Sequence, residues 1–242
     1  MANALLRGPV KAITFDLDFT LWDLTGVLHH AEAVSQQLLE RRYPDVAERY
    51  DAEGLRRLRD SIAEQRPDLR HDVTALRREA LRQAGAEAGY RGEGLARLVD
   101  EAFETFLDAR HDVAFYDDAL PVLEALHGRV RLGAITNGNA EVQRLGVGRF
   151  FDFALSAVEI GAAKPARLVF EAAAHRAGAA PGEIVHVGDD VHSDVTGAAA
   201  YGMQAVWLNR AAEPWPKEAP AVPHVELPDL WRLLERVEDC LE

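Results

Sequence analysis

Cysteine is almost missing from this sequence: Cys240 is the only one. A disulfide framework is therefore excluded, and a reducing compartment fits. A single cysteine so near the chain's end reads as part of a terminal helix rather than as a nucleophile. Long apolar runs are missing too. No stretch approaches the ~20 residues that a membrane-spanning helix requires. The first ten residues contain Arg7, Gly8 and Pro9 and no apolar h-region, so they do not form a signal-peptide pattern. The expected location is cytoplasmic. Basic charge is scarce: 27 Lys and Arg stand against 40 Asp and Glu, a net charge of −13. This excludes nonspecific binding to nucleic acid or to an anionic membrane. Any anionic ligand needs a cation supplied locally. The 242 residues suit one domain, or one domain carrying an inserted second, with a core large enough to need no covalent staples.

Short apolar runs ending in polar residues occur at Lys11–Asp16, Val130–Ile135, Ile184–Val187 and Gln204–Leu208. They read as buried strands. Helical patterns follow at Asp118–His127, Glu141–Leu145, Arg167–Ala177 and Ser193–Tyr201. This alternation predicts an α/β fold, a Rossmann-like parallel-sheet core, with chemistry at the carboxyl ends of the strands. The stretch from Asp23 to Phe115 has a different character. Its apolar residues recur at helical spacing: Val27, Ala31, Val34 and Leu38; Leu55, Leu58 and Ile62; Val73, Leu76, Ala80 and Ala84; Leu95, Leu98, Ala102 and Phe106. The expected division is a core of residues 1–22 and 116–242 with an α-helical insertion at 23–115. Asp72 is placed to cap the third of these helices. Arg56, Arg57, Arg59, Arg77, Arg78 and Arg82 are expected to face mostly solvent. From Glu213 to Pro228, five prolines predict a loop, followed by a terminal helix.

Four segments at or just beyond strand ends carry candidate chemistry. Asp16-Leu17-Asp18-Phe19-Thr20 sets two carboxylates one residue apart, which is costly without a cation or proton between them. It also fits an exposed acidic turn. Thr136-Asn137-Gly138-Asn139 offers a hydroxyl and backbone N–H groups to an anionic oxygen, or forms an ordinary Asn-Gly turn. Lys164-Pro165 is a cation beside a proline that suits a helix start, or merely a surface lysine. Gly188-Asp189-Asp190-Val191-His192-Ser193-Asp194 holds acids suited to a hard cation such as Mg²⁺. Asp190 fits a helix cap there, and His192 has no companion histidine at ligand spacing.

Taken together and in this order, the four segments resemble the motifs of the haloacid dehalogenase superfamily, and the helical insertion is similar to its C1 cap. The resemblance covers essentially the whole chain. It implies a phosphatase whose nucleophile, Asp16, becomes transiently phosphorylated, with Asp18 as general acid and base. It further implies Mg²⁺ on the carboxylates of Asp16 and Asp189 and the main-chain carbonyl of Asp18, with Asp194 behind them. Thr136 and the N–H of Asn137 would bind phosphate oxygens, and Lys164 would neutralise charge on nucleophile and phosphate. Mg²⁺ and Lys164 thus supply the local positive charge that the net charge lacks. Phe19 stands where an acidic residue or glycine is more usual. Residues Thr14–Leu21, His71–Thr74, Ile135–Asn139 and His186–Asp190 resemble more narrowly the bacterial phosphatases of flavin mononucleotide and 5-amino-6-(5-phosphoribitylamino)uracil. A flat ring and polyol chain call for an apolar wall and a few polar groups; Trp22 and His71 are the candidates. The expected partner is a small phosphate ester, and the expected assembly a monomer or homodimer. A haloacid dehalogenase would lack an aspartate at position 18. A phosphomutase would share both aspartates and differ in where the phosphate goes. A non-catalytic phosphate-binding protein would be free to lose Asp16 or Lys164.

Overall fold

The structure, a computed structural model, describes residues 8–240. The chain divides into two compact units, one of residues 8–23 and 114–240, the other Leu24–Val113. The first unit contains strands β1 (Ala12–Phe15), β2 (Trp22–Asp23), β3 (Ala114–Phe115), β4 (Arg131–Thr136), β5 (Phe153–Ser156), β6 (Ile184–Gly188), β7 (Gln204–Leu208) and β8 (Val225–Leu227). Six of them form one sheet in the order β5-β4-β1-β6-β7-β8, and each neighbouring pair is parallel. Every residue of β1 and β6 is buried, as expected of strands covered on both faces. The helix Arg167–Ala177 packs Val169, Phe170, Ala173 and Ala177 into a core with Ala12, Ile135, Ile184 and Val195. Burial of a side chain such as Phe170 contributes roughly 1.5–3 kcal/mol. The helices Ala119–Leu126 and Leu230–Val237 also pack on each other.

β2 and β3 pair antiparallel, with Trp22 opposite Phe115 and Asp23 opposite Ala114. That pairing draws Asp23, Ala114 and Phe115 into the sheet-bearing unit rather than the helical insertion. β5 and β8 are edge strands beyond those expected, and β8 lies within the proline-rich segment taken for a loop. Glu141–Leu145 is not a helix. It makes one turn, with the Leu145 N–H on the Glu141 carbonyl at 3.1 Å, and Gly146 follows with φ 72°.

The second unit contains helices Val27–Arg42, Ala52–Gln65, Val73–Glu87 and Gly92–Arg110. Asp72 caps the third, accepting the Ala75 N–H at 2.7 Å. In the first helix the buried face is Ala31, Ser35 and Leu39, one step round from the apolar stripe in the sequence. The polar Ser35 is admitted because its hydroxyl donates to the Ala102 carbonyl at 2.9 Å. The arginines do not all face solvent. Arg56 and Arg77 reach the nearly buried Glu32 at 2.7 and 3.1 Å, and Arg59 comes within 3.5 Å. A buried carboxylate needs such partners. Burial pushes the Glu32 carboxyl up, yet Arg56 and Arg77 outweigh it and hold it below its usual range. The Arg77 guanidinium also lies over the Phe106 ring, 3.6 Å from its centroid. Among the described residues, no helix is long and apolar enough to cross a membrane.

Candidate active site

In the sheet-bearing unit, β1, β4 and β6 are adjacent and parallel, so the loops at their carboxyl ends converge. Asp16 follows β1 directly, and its N–H donates to the Val187 carbonyl at 2.8 Å. The chain then doubles back. The Thr20 and Leu21 N–H groups both donate to the Leu17 carbonyl, and the Phe19 N–H to the Trp22 carbonyl at 2.9 Å. Phe19 sits at the tip with φ 61° and is 41% exposed. A side chain in this left-handed conformation costs roughly 1–2 kcal/mol. Glycine would adopt that conformation without the Cβ penalty that Phe19 bears.

Lys164 gathers the site. Its Nζ donates to Asp16 Oδ1 at 2.5 Å, to Asp194 Oδ1 at 2.7 Å and to the Ile135 carbonyl at 2.9 Å. Its main chain is clamped by Asn137, whose Oδ1 accepts the Lys164 N–H at 2.7 Å while its Nδ2 donates to the Lys164 carbonyl at 2.9 Å. The Thr20 hydroxyl bridges Asp16 Oδ2 at 3.3 Å and Asp189 Oδ1 at 3.2 Å. Thr136 Oγ1 accepts the Gly138 N–H at 2.9 Å, which rounds the loop after β4. Asp190 caps the following helical segment through the Ser193 N–H. The structure thus brings Asp16, Thr20, Lys164, Asp189 and Asp194 together, and fastens Asn137 to Lys164.

Asp16, Asp189 and Asp194 each offer an oxygen within 4.8 Å of the others. Three carboxylates against one ammonium leave two negative charges in excess. Burial, then Asp194 and Asp189, push the Asp16 carboxyl well up, against the pull of Lys164. Burial and Asp194 push Asp189 up to about 7. Asp194 goes the other way: burial opposes ionisation, but Lys164 and His186 bring it down to about 2. Lys164 is itself raised, because the two carboxylates outweigh its burial. One lysine cannot hold all three acids ionised. An oxygen-lined pocket with that deficit fits a hard divalent cation. Asp194 has both oxygens engaged already, Oδ1 by Lys164 and His186 and Oδ2 by the Asp190 N–H at 3.2 Å. That engagement suits a place behind the metal ligands rather than among them.

The close fold of this loop depends on Gly188. A Cβ there would lie 2.2 Å from the Asp194 Cγ. Gly188→Ala is expected to displace Asp194 from Lys164 and His186, lowering stability by about 2 kcal/mol or more and activity with it. Thermal melts and phosphate-release assays check both; a neutral result would mean that the loop relaxes without cost.

Two further residues were hidden inside apolar runs. His186 and Thr14 face each other across β6 and β1. The His186 ring is fully buried, with Nδ1 2.8 Å from the Thr14 hydroxyl and Nε2 3.1 Å from Asp194 Oδ1. Burial lowers the basicity of the ring, and with Nε2 donating to the ionised Asp194, Nδ1 is left to accept from Thr14. Trp207 donates its indole N–H to the Asp189 carbonyl at 2.9 Å, fixing that residue's main chain. A polar residue inside an otherwise apolar strand is the signal that marks Thr14 and His186. Trp22 is completely buried and presents no exposed face. His71 lies in the helical unit, just before the helix Val73–Glu87, and is partly exposed.

Comparison with known proteins gives this arrangement its kin. The model of the haloacid dehalogenase-like hydrolases matches residues 10–202. The chain is 34% identical over 224 residues to the 5-amino-6-(5-phospho-D-ribitylamino)uracil phosphatase YigB of Escherichia coli K12, covering 91% of this chain and 93% of that one. A crystal structure described as a 2-haloacid dehalogenase from Pseudomonas syringae pv. Tomato DC3000 is 38% identical, with a TM-score of 0.89 over 95% of this chain and 99% of that one. A HAD phosphatase from Thermococcus onnurineus shares the fold at 23% identity, with a TM-score of 0.66 over 95% and 98%. By its fold, its motif order and these matches, the chain belongs to the haloacid dehalogenase-like hydrolases.

Proposed function

We propose that this phosphoric monoester hydrolase works with Mg²⁺ in the cytoplasm and releases phosphate through a phosphorylated Asp16. The observation that carries the reading is the Asp16 carboxylate gripped by Lys164 at 2.5 Å within a cluster of three acids. A carboxylate oxygen of Asp16 attacks phosphorus, the bond to the leaving oxygen breaks, and that oxygen takes the proton of Asp18. Asp18 then accepts a proton from the water that attacks the acyl phosphate, releasing Asp16 and inorganic phosphate. Thr136 and the Asn137 N–H hold phosphate oxygens, and Lys164 neutralises charge on nucleophile and phosphoryl group. When bound, Mg²⁺ would rest on the carboxylates of Asp16 and Asp189 and the Asp18 carbonyl, and would withdraw charge from the phosphoryl group.

The substrate we favour is flavin mononucleotide or 5-amino-6-(5-phosphoribitylamino)uracil. Support comes from the near full-length likeness to a phosphatase named for the latter. His71, in the helical unit, is the candidate for selecting the ring. Phosphate release measured with Mg²⁺ across sugar, nucleotide and ribityl phosphates tests this. The two ribityl phosphates are expected to give the highest kcat/KM. A sugar or nucleotide exceeding both by about tenfold would overturn the substrate but leave the phosphatase standing.

Likeness to a structure described as a 2-haloacid dehalogenase gives a second reading some weight. That chemistry, attack of Asp16 on carbon with loss of halide, uses neither a leaving-group acid nor a metal. Asp18 and the excess of buried carboxylate favour the phosphatase. Halide release from 2-chloropropionate in the presence of a chelator would favour the other.

A further inference from the structure

The carboxylate assigned as general acid and base does not hang loose from its turn. The Trp22 indole Nε1 donates to Asp18 Oδ1 at 2.8 Å, and Asp18 and Trp22 also meet as a β-bridge. Trp22 is fully buried, and its ring meets the edge of Phe115 at 5.4 Å and 80°. Phe115 is its partner in the β2–β3 pair, so backbone and rings fix the indole together. A buried tryptophan normally places its N–H on an acceptor, and here the acceptor is a catalytic carboxylate.

We propose that Trp22 is the positioning residue of Asp18: its N–H holds Oδ1 and thereby assigns the exchangeable proton to Oδ2. The proposal rests on the role given to Asp18 above. An indole nitrogen donates and never accepts. The oxygen facing it is therefore the acceptor oxygen of the acid, and the O–H is the other one. In the first half-reaction the Oδ2 proton passes to the leaving oxygen as its bond to phosphorus breaks. In the second, Oδ2 takes a proton from the attacking water as the Asp16 acyl phosphate breaks. Both transfers use one atom, held in place on a tight turn. Trp22 accordingly serves the carboxylate, not the substrate ring.

A change from Trp22 to Phe keeps an aromatic edge against Phe115 while removing the donor together with part of the buried ring. Its effect should follow the need for a leaving-group proton. Benzyl phosphate and p-nitrophenyl phosphate present rings of similar size, but benzyl alcohol is a poor leaving group and p-nitrophenolate a good one. Trp22→Phe is expected to lower kcat/KM for benzyl phosphate by about tenfold or more and to change that for p-nitrophenyl phosphate less than about threefold. The loss should lie in kcat rather than KM. Asp18→Asn, assayed beside it, is expected to show the same split more strongly. Equal losses on both substrates, or none, with the split intact in Asp18→Asn, would reduce Trp22 to a packing residue. No split in Asp18→Asn would overturn the acid itself, and the proposal with it. The ¹⁵N-indole resonance of Trp22 provides a check that needs no Trp22 variant. It should move upfield in Asp18→Ala; an unmoved resonance would refute the bond even if Trp22→Phe failed to fold.

Discussion

Asp16→Asn is expected to lower phosphate release by about four orders of magnitude or more while the chain stays folded. An amide oxygen is a weak nucleophile and a weak cation ligand, so the variant loses both attack and metal affinity. Stability should change little, because two effects oppose each other. The carboxylate that accepts from Lys164 at 2.5 Å is lost, but so is its repulsion with Asp189 and Asp194. Lys164 keeps Asp194 and the Ile135 carbonyl as partners. Circular dichroism and a thermal melt would report the fold, and single-turnover assays the chemistry. Substantial turnover in a preparation free of wild-type enzyme would refute Asp16 as the nucleophile.

Chelation is expected to be nearly as severe. EDTA should abolish activity and Mg²⁺ restore it. Ca²⁺ should inhibit, because a larger ion accepting more ligands can draw both Asp16 oxygens toward itself. Proton linkage gives a second readout. In the metal-free protein Asp189 is raised from 3.8 to about 7. A raised carboxyl favours the folded state below its unfolded value, and that contribution is lost as pH climbs through the folded one. The metal-free chain should therefore lose stability from about pH 4 to 7 on account of this residue. A cation competes with that proton, so the rise in Tm on adding Mg²⁺ should be larger at pH 7.5 than at pH 5. Full phosphate release in a metal-stripped sample would refute the metal requirement. A Tm rise equal at both pH values would detach Asp189 from the metal.

Strands β1, β4, β6 and β7 were legible because a strand buried on both faces writes a continuous apolar run. β5 was not: its alternating Phe153-Ala154-Leu155-Ser156 is four residues long and exposed at Ala154. β8 is three residues, and the prolines on either side of it, Pro223 and Pro228, pointed to a loop. Asp16, Thr136 and Asp189 could be found because each stands where an apolar run stops; Lys164 follows no legible strand and was found by its place in the order of the four segments. Thr14 and His186 were missed because each sits inside such a run, where register across two strands creates their contact. Trp22 was noticed for its ring, whereas its N–H is what reaches Asp18. Glu32 was missed for a related reason: a lone acid on a helix says nothing of the arginines that two other helices bring to it.

The short ladder of Trp22–Asp23 with Ala114–Phe115 has a consequence for how such chains diversify. Opposite residues of an antiparallel pair lie about 5 Å apart. The chain therefore leaves the sheet-bearing unit and re-enters it through adjoining doors, whatever length lies between. Loop closure is already settled by the ladder, so segment length carries little entropic penalty at that junction. Leu24–Val113 is in effect a cassette with two neighbouring seams. Exchanging it would leave the lysine and acids at the strand ends of the sheet-bearing unit in register.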